Sequence, residues 1–333
     1  MDALELTRAL VALETPTGSE GPATDLLDGM LRRMGYQTVR QPVTKGRENL
    51  LGYREQPELV FSTHLDTVPP YIPLWEDDQA IHGRGSCDAK GQAAAMFAAA
   101  EQLAARGERR IGLLFLVGEE NGSDGARAAG DLGPKGRFLI NGEPTENQLS
   151  IGQKGSLRVD LHASGRAAHS AYPDEGASAI AALLDTIERI RRLPLPTDPV
   201  LGASTLNLGL IQGGVAPNVI PPAATAQLLI RTVELGEALK TRISETLSPG
   251  VSVEFPVELP CYKGGNAPPG WETTVVSYAS DLPFLEAWGD RYQLGPGTIR
   301  VAHSSREHIR KADLLRGVEL HVKLASDLLR RVS

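Results

Sequence analysis

Helical and strand-like apolar spacings alternate along the first half of the chain. Residues from about Leu4 to Leu13 follow a helical pattern, which Pro16-Thr17-Gly18-Ser19 breaks. Ser19 is an N-cap candidate for a second helix through Leu26, Leu27, Met30, Leu31 and Met34, and Gly35 stops it. Tyr36 to Val43 predicts a strand, Asn49-Leu50-Leu51 begins another, and Leu59-Val60-Phe61 is the apolar run of a buried one. An alanine-rich helix then runs to about Ala105, with Gly107 as its natural stop. Strands from Ile111 to Val117 and from Arg137 to Asn141 follow. Strands alternating with helices, with polar residues at the strand ends, predict an α/β fold with a mostly parallel sheet.

Beyond residue 155 the pattern changes. Leu157, Val159 and Leu161 alternate with Arg158, Asp160 and His162, as in a strand with one wet face. A helix from about Ala177 to Arg192 comes next, then strands near Ser204–Gln212 and Thr225–Thr232, a helix near Leu235–Leu247 and a strand near Val251–Phe255. That β-α-β-β-α-β order is a ferredoxin-like α+β unit. The expected organisation is one domain from residues 1–155 and 265–333, with residues 156–264 inserted into it. A chain of 333 residues accommodates two cores of this size.

Composition narrows the function. With 41% apolar and 23% charged residues and no apolar run long enough for a bilayer, a soluble globular protein is expected, with no membrane partner. A net charge of −7 leaves no basic stripe for phosphates, which argues against a nucleic-acid partner. The N-terminus lacks a basic region and an apolar core, and Cys87 and Cys261 make no disulfide framework, so a cytoplasmic location is expected. The segment Gly83-x-Gly85-x-x-Asp88 imitates a dinucleotide fingerprint but lacks its third glycine.

The candidate chemistry lies at the predicted strand ends. His64 and Asp66 follow Leu59-Val60-Phe61, where open α/β sheets place their sites, and residues two apart on extended backbone share a side. Asp88 precedes the alanine-rich helix, Glu119-Glu120 follows one strand, Glu143 another, and His303 lies near the end of the chain. Two imidazoles and three carboxylates suit a pair of divalent ions such as zinc, cobalt or manganese. With no set of thiolates for a closed structural site, an open site that keeps water is favoured.

In order and context, His64-x-Asp66, Asp88, Glu119-Glu120, Glu143 and His303 resemble the co-catalytic zinc deacylases and exopeptidases. That family includes acetylornithine deacetylase, succinyl-diaminopimelate desuccinylase, aminoacylase and glutamate carboxypeptidase, and the resemblance covers nearly the whole chain. It implies a zinc-exopeptidase-like catalytic domain whose insert is a dimerisation, or lid, domain. It also implies two divalent ions, zinc first among them, bridged by Asp88. His64 and Glu143 would complete one ion, Glu120 and His303 the other. Asp66 would orient His64 through its second ring nitrogen. Glu119 would take the proton of the attacking water and pass it to the departing nitrogen. A cis peptide at Asp88–Ala89 is expected.

His169 matches the family's insert histidine, which reaches the other subunit's cleft as an oxyanion donor, so a homodimer is implied. Asn207, Gly213, Gly214 and Asn218 fall where the substrate-binding segment is expected, and Arg231 would hold a substrate α-carboxylate. In this family a glutamate at the position of Glu143 marks deacylases and carboxypeptidases. Gly118 stands where relatives often carry an acid. The expected activity is removal of the acyl group from an N-acyl amino acid, of the N-acetylornithine or N-acetyl-lysine type, in amino-acid biosynthesis. A dipeptidase, carboxypeptidase or succinyl-diaminopimelate desuccinylase is the alternative. A non-catalytic metal-binding relative is a further one, against which retention of Glu119 speaks.

Overall fold

The computed structural model describes residues 2–234 and 236–331. Its contacts divide the chain into two units. The first comprises Met1–Gly152, Gly264–Thr274 and Ser280–Ser333; the second, Gln153–Lys263 and Val275–Ala279. The short segment Val275–Ala279 thus packs with the second unit, although it follows the stretch in which the chain was expected to rejoin the first.

In the first unit the strands are ordered Gln37–Thr44, Arg47–Tyr53, Ile111–Leu116, Leu59–His64, Phe138–Asn141, Asp290–Gln293 and Leu149–Gln153. The four from Ile111–Leu116 to Asp290–Gln293 are mutually parallel, and the pairings outside them are antiparallel. The sheet is therefore mixed, with a parallel centre. Register fixes where the site forms: Leu59 pairs with both Ile111 and Phe138, so these three strands end at one edge. Every residue of the three is buried, because helices and sheet leave no wet face at the centre.

The helix Lys90–Ala105 packs on the strands Leu59–His64 and Ile111–Leu116 and on the helices Ala3–Val11 and Lys311–Leu329. Neighbours on several sides explain its alanines: an element apolar all round is a core element, and small side chains let backbones approach. The first helix starts with a capping box, Asp2 accepting from Glu5 N at 2.8 Å while Glu5 accepts from Asp2 N at 3.1 Å. For the second helix, Gly21–Arg33, Ser19 was the expected cap. Glu20 holds that position instead, without a side-chain cap bond, because its carboxylate is taken by Arg47.

The second unit has the expected strand and helix order. Its antiparallel sheet runs Thr205–Gly213, Ala223–Thr232, Gly155–Ser164 and Val251–Glu254. Leu157, Val159 and Leu161 are buried with Leu183, Ile187 and Ile190 of the helix Ala179–Arg192, while Arg158 pairs with Asp160 at 2.8 Å on the wetter face. The second helix is Glu237–Ser244; Leu235, placed at its start in the sequence reading, lies outside the described residues.

Candidate metal centre

The aligned ends of the parallel strands bring scattered residues together. His64 is the last residue of its strand, Glu119 and Glu120 begin the 3-10 turn after Ile111–Leu116, and Glu143 lies two residues beyond Phe138–Asn141. Three sets of donor atoms lie within 4.8 Å of one another: His64, Asp88 and Glu143; His64, Glu119 and Glu120; and Asp88, Glu120 and His303. Asp88 belongs to two of them. Its Oδ1 is 3.0 Å from His64 Nε2, and its Oδ2 is 3.4 Å from His303 Nε2. His303 Nε2 also lies 3.0 Å from Glu120 Oε1. The Asp88–Ala89 peptide is cis.

The tautomer of His64 follows from its partners. Nδ1 sits 3.0 Å from the Asp66 carbonyl oxygen, which can only accept, so Nδ1 carries a proton and Nε2 is the ring nitrogen turned to the Asp88 carboxylate. The Asp66 carboxylate, 3.3 Å from Nδ1, has a second task. It accepts from the N–H groups of Gly118, Glu119 and Glu120 at 3.0, 3.1 and 3.1 Å, and from Thr17 Oγ1 at 2.7 Å. The orienting contact to His64 is thus shared with the main chain, and the Asp66 side chain chiefly holds the turn of the paired glutamates. Gly118 is explained by that turn. Its φ of 78° is left-handed, which strains any residue with a side chain, and a Cβ there would displace the Asp124 carboxylate and the Arg47 guanidinium.

Electrostatically the cluster is short of positive charge. Burial raises the Glu143 carboxyl well above the usual range, and the Asp88, Asp281 and Glu120 carboxylates add to this against the pull of His64. Burial likewise raises Glu119 and Glu120, reinforced by Glu143 and Asp281 in the first case and by Asp88 in the second. Asp88 resists its burial and is held low by His303 and His64. His303 is pushed up to about 10 by hydrogen bonds to Asp88 and Glu120. Glu143 Oε1 is buried with no hydrogen-bond partner among the described residues. An orphaned carboxylate oxygen, mutually repelling acids and two imidazole nitrogens turned to the same carboxylate fit a divalent cation.

The remaining sequence candidates lie in the second unit. His169 is exposed, and its Nδ1 accepts from Ala171 N at 3.1 Å. The neighbouring Ser170 donates to the Asn218 carbonyl at 3.0 Å, so these two segments adjoin. Asn207 and Arg231 lie on paired strands, Thr205 being opposite Arg231, and Gly213 faces Ala224, with Gly214 following at a φ of 80°. Two further histidines are engaged away from the cluster: His82 pairs with Asp77, and His321 is buried against two carbonyls. Cys87 is buried and donates its S–H to Thr298 O.

Two buried carboxylates near the cluster had no place in the sequence reading. Asp281 lies in Ala279-Ser280-Asp281-Leu282, and Glu307 four residues after His303. Each sits in a polar stretch that reads as loop, and only an acid beside apolar Leu282 hinted at burial.

Comparison with known proteins follows the same division. Over residues 151–248 the chain matches a peptidase dimerisation domain, and over residues 48–148 peptidase family M28. A peptidase M20 domain-containing protein of Schizosaccharomyces pombe is 37% identical over 332 residues, which span 95% of this chain and 82% of the relative. A probable carboxypeptidase of Aspergillus clavatus is 36% identical over 374 residues, spanning 98% and 83% respectively. Among solved structures, aminopeptidase PepT of Bacillus cereus superposes with a TM-score of 0.80 at 20% identity, with 98% of each chain covered.

Proposed function

Because this chain belongs to the M20 peptidase family, a family of metal-dependent hydrolases, we propose that it cleaves the amide of an N-acyl amino acid at a two-metal centre. The observation that carries the reading is the gathering of His64, Asp88, Glu120, Glu143 and His303, with Asp88 common to two donor sets. In this reading Asp88 would be shared by both ions, His64 and Glu143 would hold one, and Glu120 and His303 the other. Zinc suits such mixed imidazole and carboxylate donors, with cobalt or manganese able to replace it. Bound there, a divalent pair supplies the acidity that ionises a water and the charge that polarises the scissile carbonyl.

The protein's own groups do the rest. Glu119 accepts the water's proton and passes it to the departing nitrogen, a task for which its burial-raised carboxyl suits it. Asp66 keeps Glu119 and Glu120 in place by accepting from both backbones. His169, whose Nδ1 is engaged as an acceptor, carries its proton on Nε2 and donates it to the oxyanion in the partner subunit's cleft. Asn207, Gly213, Gly214 and Asn218 line the substrate segment, and Arg231 takes the α-carboxylate. The homodimer is supported by the dimerisation-domain match and by the edge strand Thr205–Gly213, which exposes Leu208, Leu210 and Ile211. The free thiols Cys87 and Cys261 fit a cytoplasmic enzyme.

An N-acetylated basic amino acid of biosynthesis, N-acetylornithine or N-acetyl-lysine, is the leading substrate. Carboxypeptidase action on a short peptide is the second reading, favoured by the name of the Aspergillus clavatus relative. Zinc- or cobalt-loaded protein incubated with N-acyl amino acids and dipeptides separates them. Free amine released from acetylated amino acids supports the first, release from peptides alone supports the second, and no release from either ends both.

A further inference from the structure

Glu307 is 2% exposed, yet it is neither a donor of the cluster nor part of the proposed chemistry. One of its oxygens, Oε1, accepts from three backbone N–H groups of a single loop: Gly85 at 2.9 Å, Cys87 at 3.2 Å and Asp88 at 3.1 Å. The other, Oε2, accepts from Arg84 Nη1 at 2.6 Å. Arg84 itself is buried and donates to the carbonyls of Pro70 and Ser304. The loop is therefore a nest of main-chain donors built around an internal anion. It ends on Asp88, whose two carboxylate oxygens face His64 and His303.

The segment that supplies Glu307 also supplies His303. A stretch of five residues thus delivers one donor of the cluster and the carboxylate that pins the backbone of another. Its exit is fixed too, since His308–Arg310 pairs with Ala80–His82 just before the nest. Rotation of the Asp88 main chain would swing both carboxylate oxygens away from the histidines, and the acceptor at Asp88 N opposes that rotation.

From this geometry we infer that Glu307 is a positioning residue that sets the Asp88 carboxylate between His64 and His303. The inference rests on the reading of the cluster as a two-metal centre. Outer-shell groups of this kind change metal affinity by about 10–100-fold when altered. Glu307→Gln keeps an oxygen for the three N–H groups but turns an amide NH2 toward Arg84, two donors facing each other, so the side chain must move.

The test compares wild-type protein with E307Q, both stripped with chelator and titrated with Zn²⁺ and Co²⁺ by calorimetry, with visible spectra of the cobalt forms. Wild type is expected to take two ions. E307Q is expected to bind at least one of them about 10–100-fold more weakly, with an altered cobalt spectrum and a fall in kcat at unchanged KM. Arg84→Gln, which frees Oε2 but leaves the N–H contacts, is expected to weaken binding less, and it decides the matter should E307Q not fold. Two ions bound to E307Q, or in its place to R84Q, with wild-type affinity and spectrum would overturn the inference alone. A wild-type protein that binds no ion would instead overturn the metal reading beneath it.

Discussion

Replacing Asp281 with asparagine should change how the stability of the metal-free protein depends on pH. The Asp281 carboxyl is 1% exposed, and neither oxygen has a hydrogen-bond partner among the described residues. Burial, reinforced by the Asp66 and Asp124 carboxylates, raises it from the ordinary 3.8 to about 7; His64 opposes this, and the approach of Ser123 offsets only part. A folded carboxyl that binds its proton more tightly than the unfolded chain contributes stability that is fully present below 3.8 and is lost as pH rises through about 7. Each pH unit in that window is worth ~1.4 kcal/mol, so wild type loses about 3 kcal/mol between pH 5 and pH 8 from this group. Asparagine has the same shape, forfeits no hydrogen bond and does not titrate. Glu119 and Glu143 titrate in both proteins but are raised in part by Asp281, so the difference between the two profiles reports Asp281 together with its coupling to them. Urea unfolding of chelator-treated wild type and D281N at half-unit steps from pH 5 to pH 8 measures it. The variant should gain on wild type by about 3 kcal/mol across the range, reaching its full advantage near pH 8. Parallel profiles would refute the reasoning, since Asp281 would then not hold its proton.

Other consequences are simpler to state. Glu119→Gln should lower kcat by about 10²–10⁴-fold while elemental analysis still finds the metal content of wild type, because the group moves a proton and is not required to hold an ion. Gly118→Ala should destabilise by roughly 1–3 kcal/mol in thermal unfolding and reduce turnover, since the backbone is left-handed there and a Cβ would displace the Asp124–Arg47 ion pair. Leu210→Glu, on the exposed edge strand, should convert dimer to monomer in light scattering at unchanged circular dichroism.

Much of this protein was legible in one dimension because its information is local. Apolar runs of strand length, glycine stops and polar residues just past each run are short-range signals. In a sheet with a parallel centre they also predict where side chains meet, since the register of Leu59 with Ile111 and Phe138 brings strand ends to one edge. That is why His64, Glu119, Glu120 and Glu143, each just at or past a strand of the pattern, gather in one place. The alternation of Leu157, Val159 and Leu161 with charged neighbours announced the second unit in the same way.

The tertiary structure decided what depends on partners distant along the chain. Glu20, not Ser19, stands at the start of the second helix, and it makes no side-chain cap because Arg47, 27 residues on, claims its carboxylate. Asp66 spends its side chain on backbone more than 50 residues away, which nothing in His-x-Asp discloses. Glu307 reaches a loop some 220 residues earlier, and Asp281 is buried beside acids from two other segments. Spacing reports which residues a chain places on one face. Burial, charge pairing and backbone acceptors are settled only when the strands close on one another, because a carboxylate's partner is chosen by proximity in space and by the cost of leaving it unpaired.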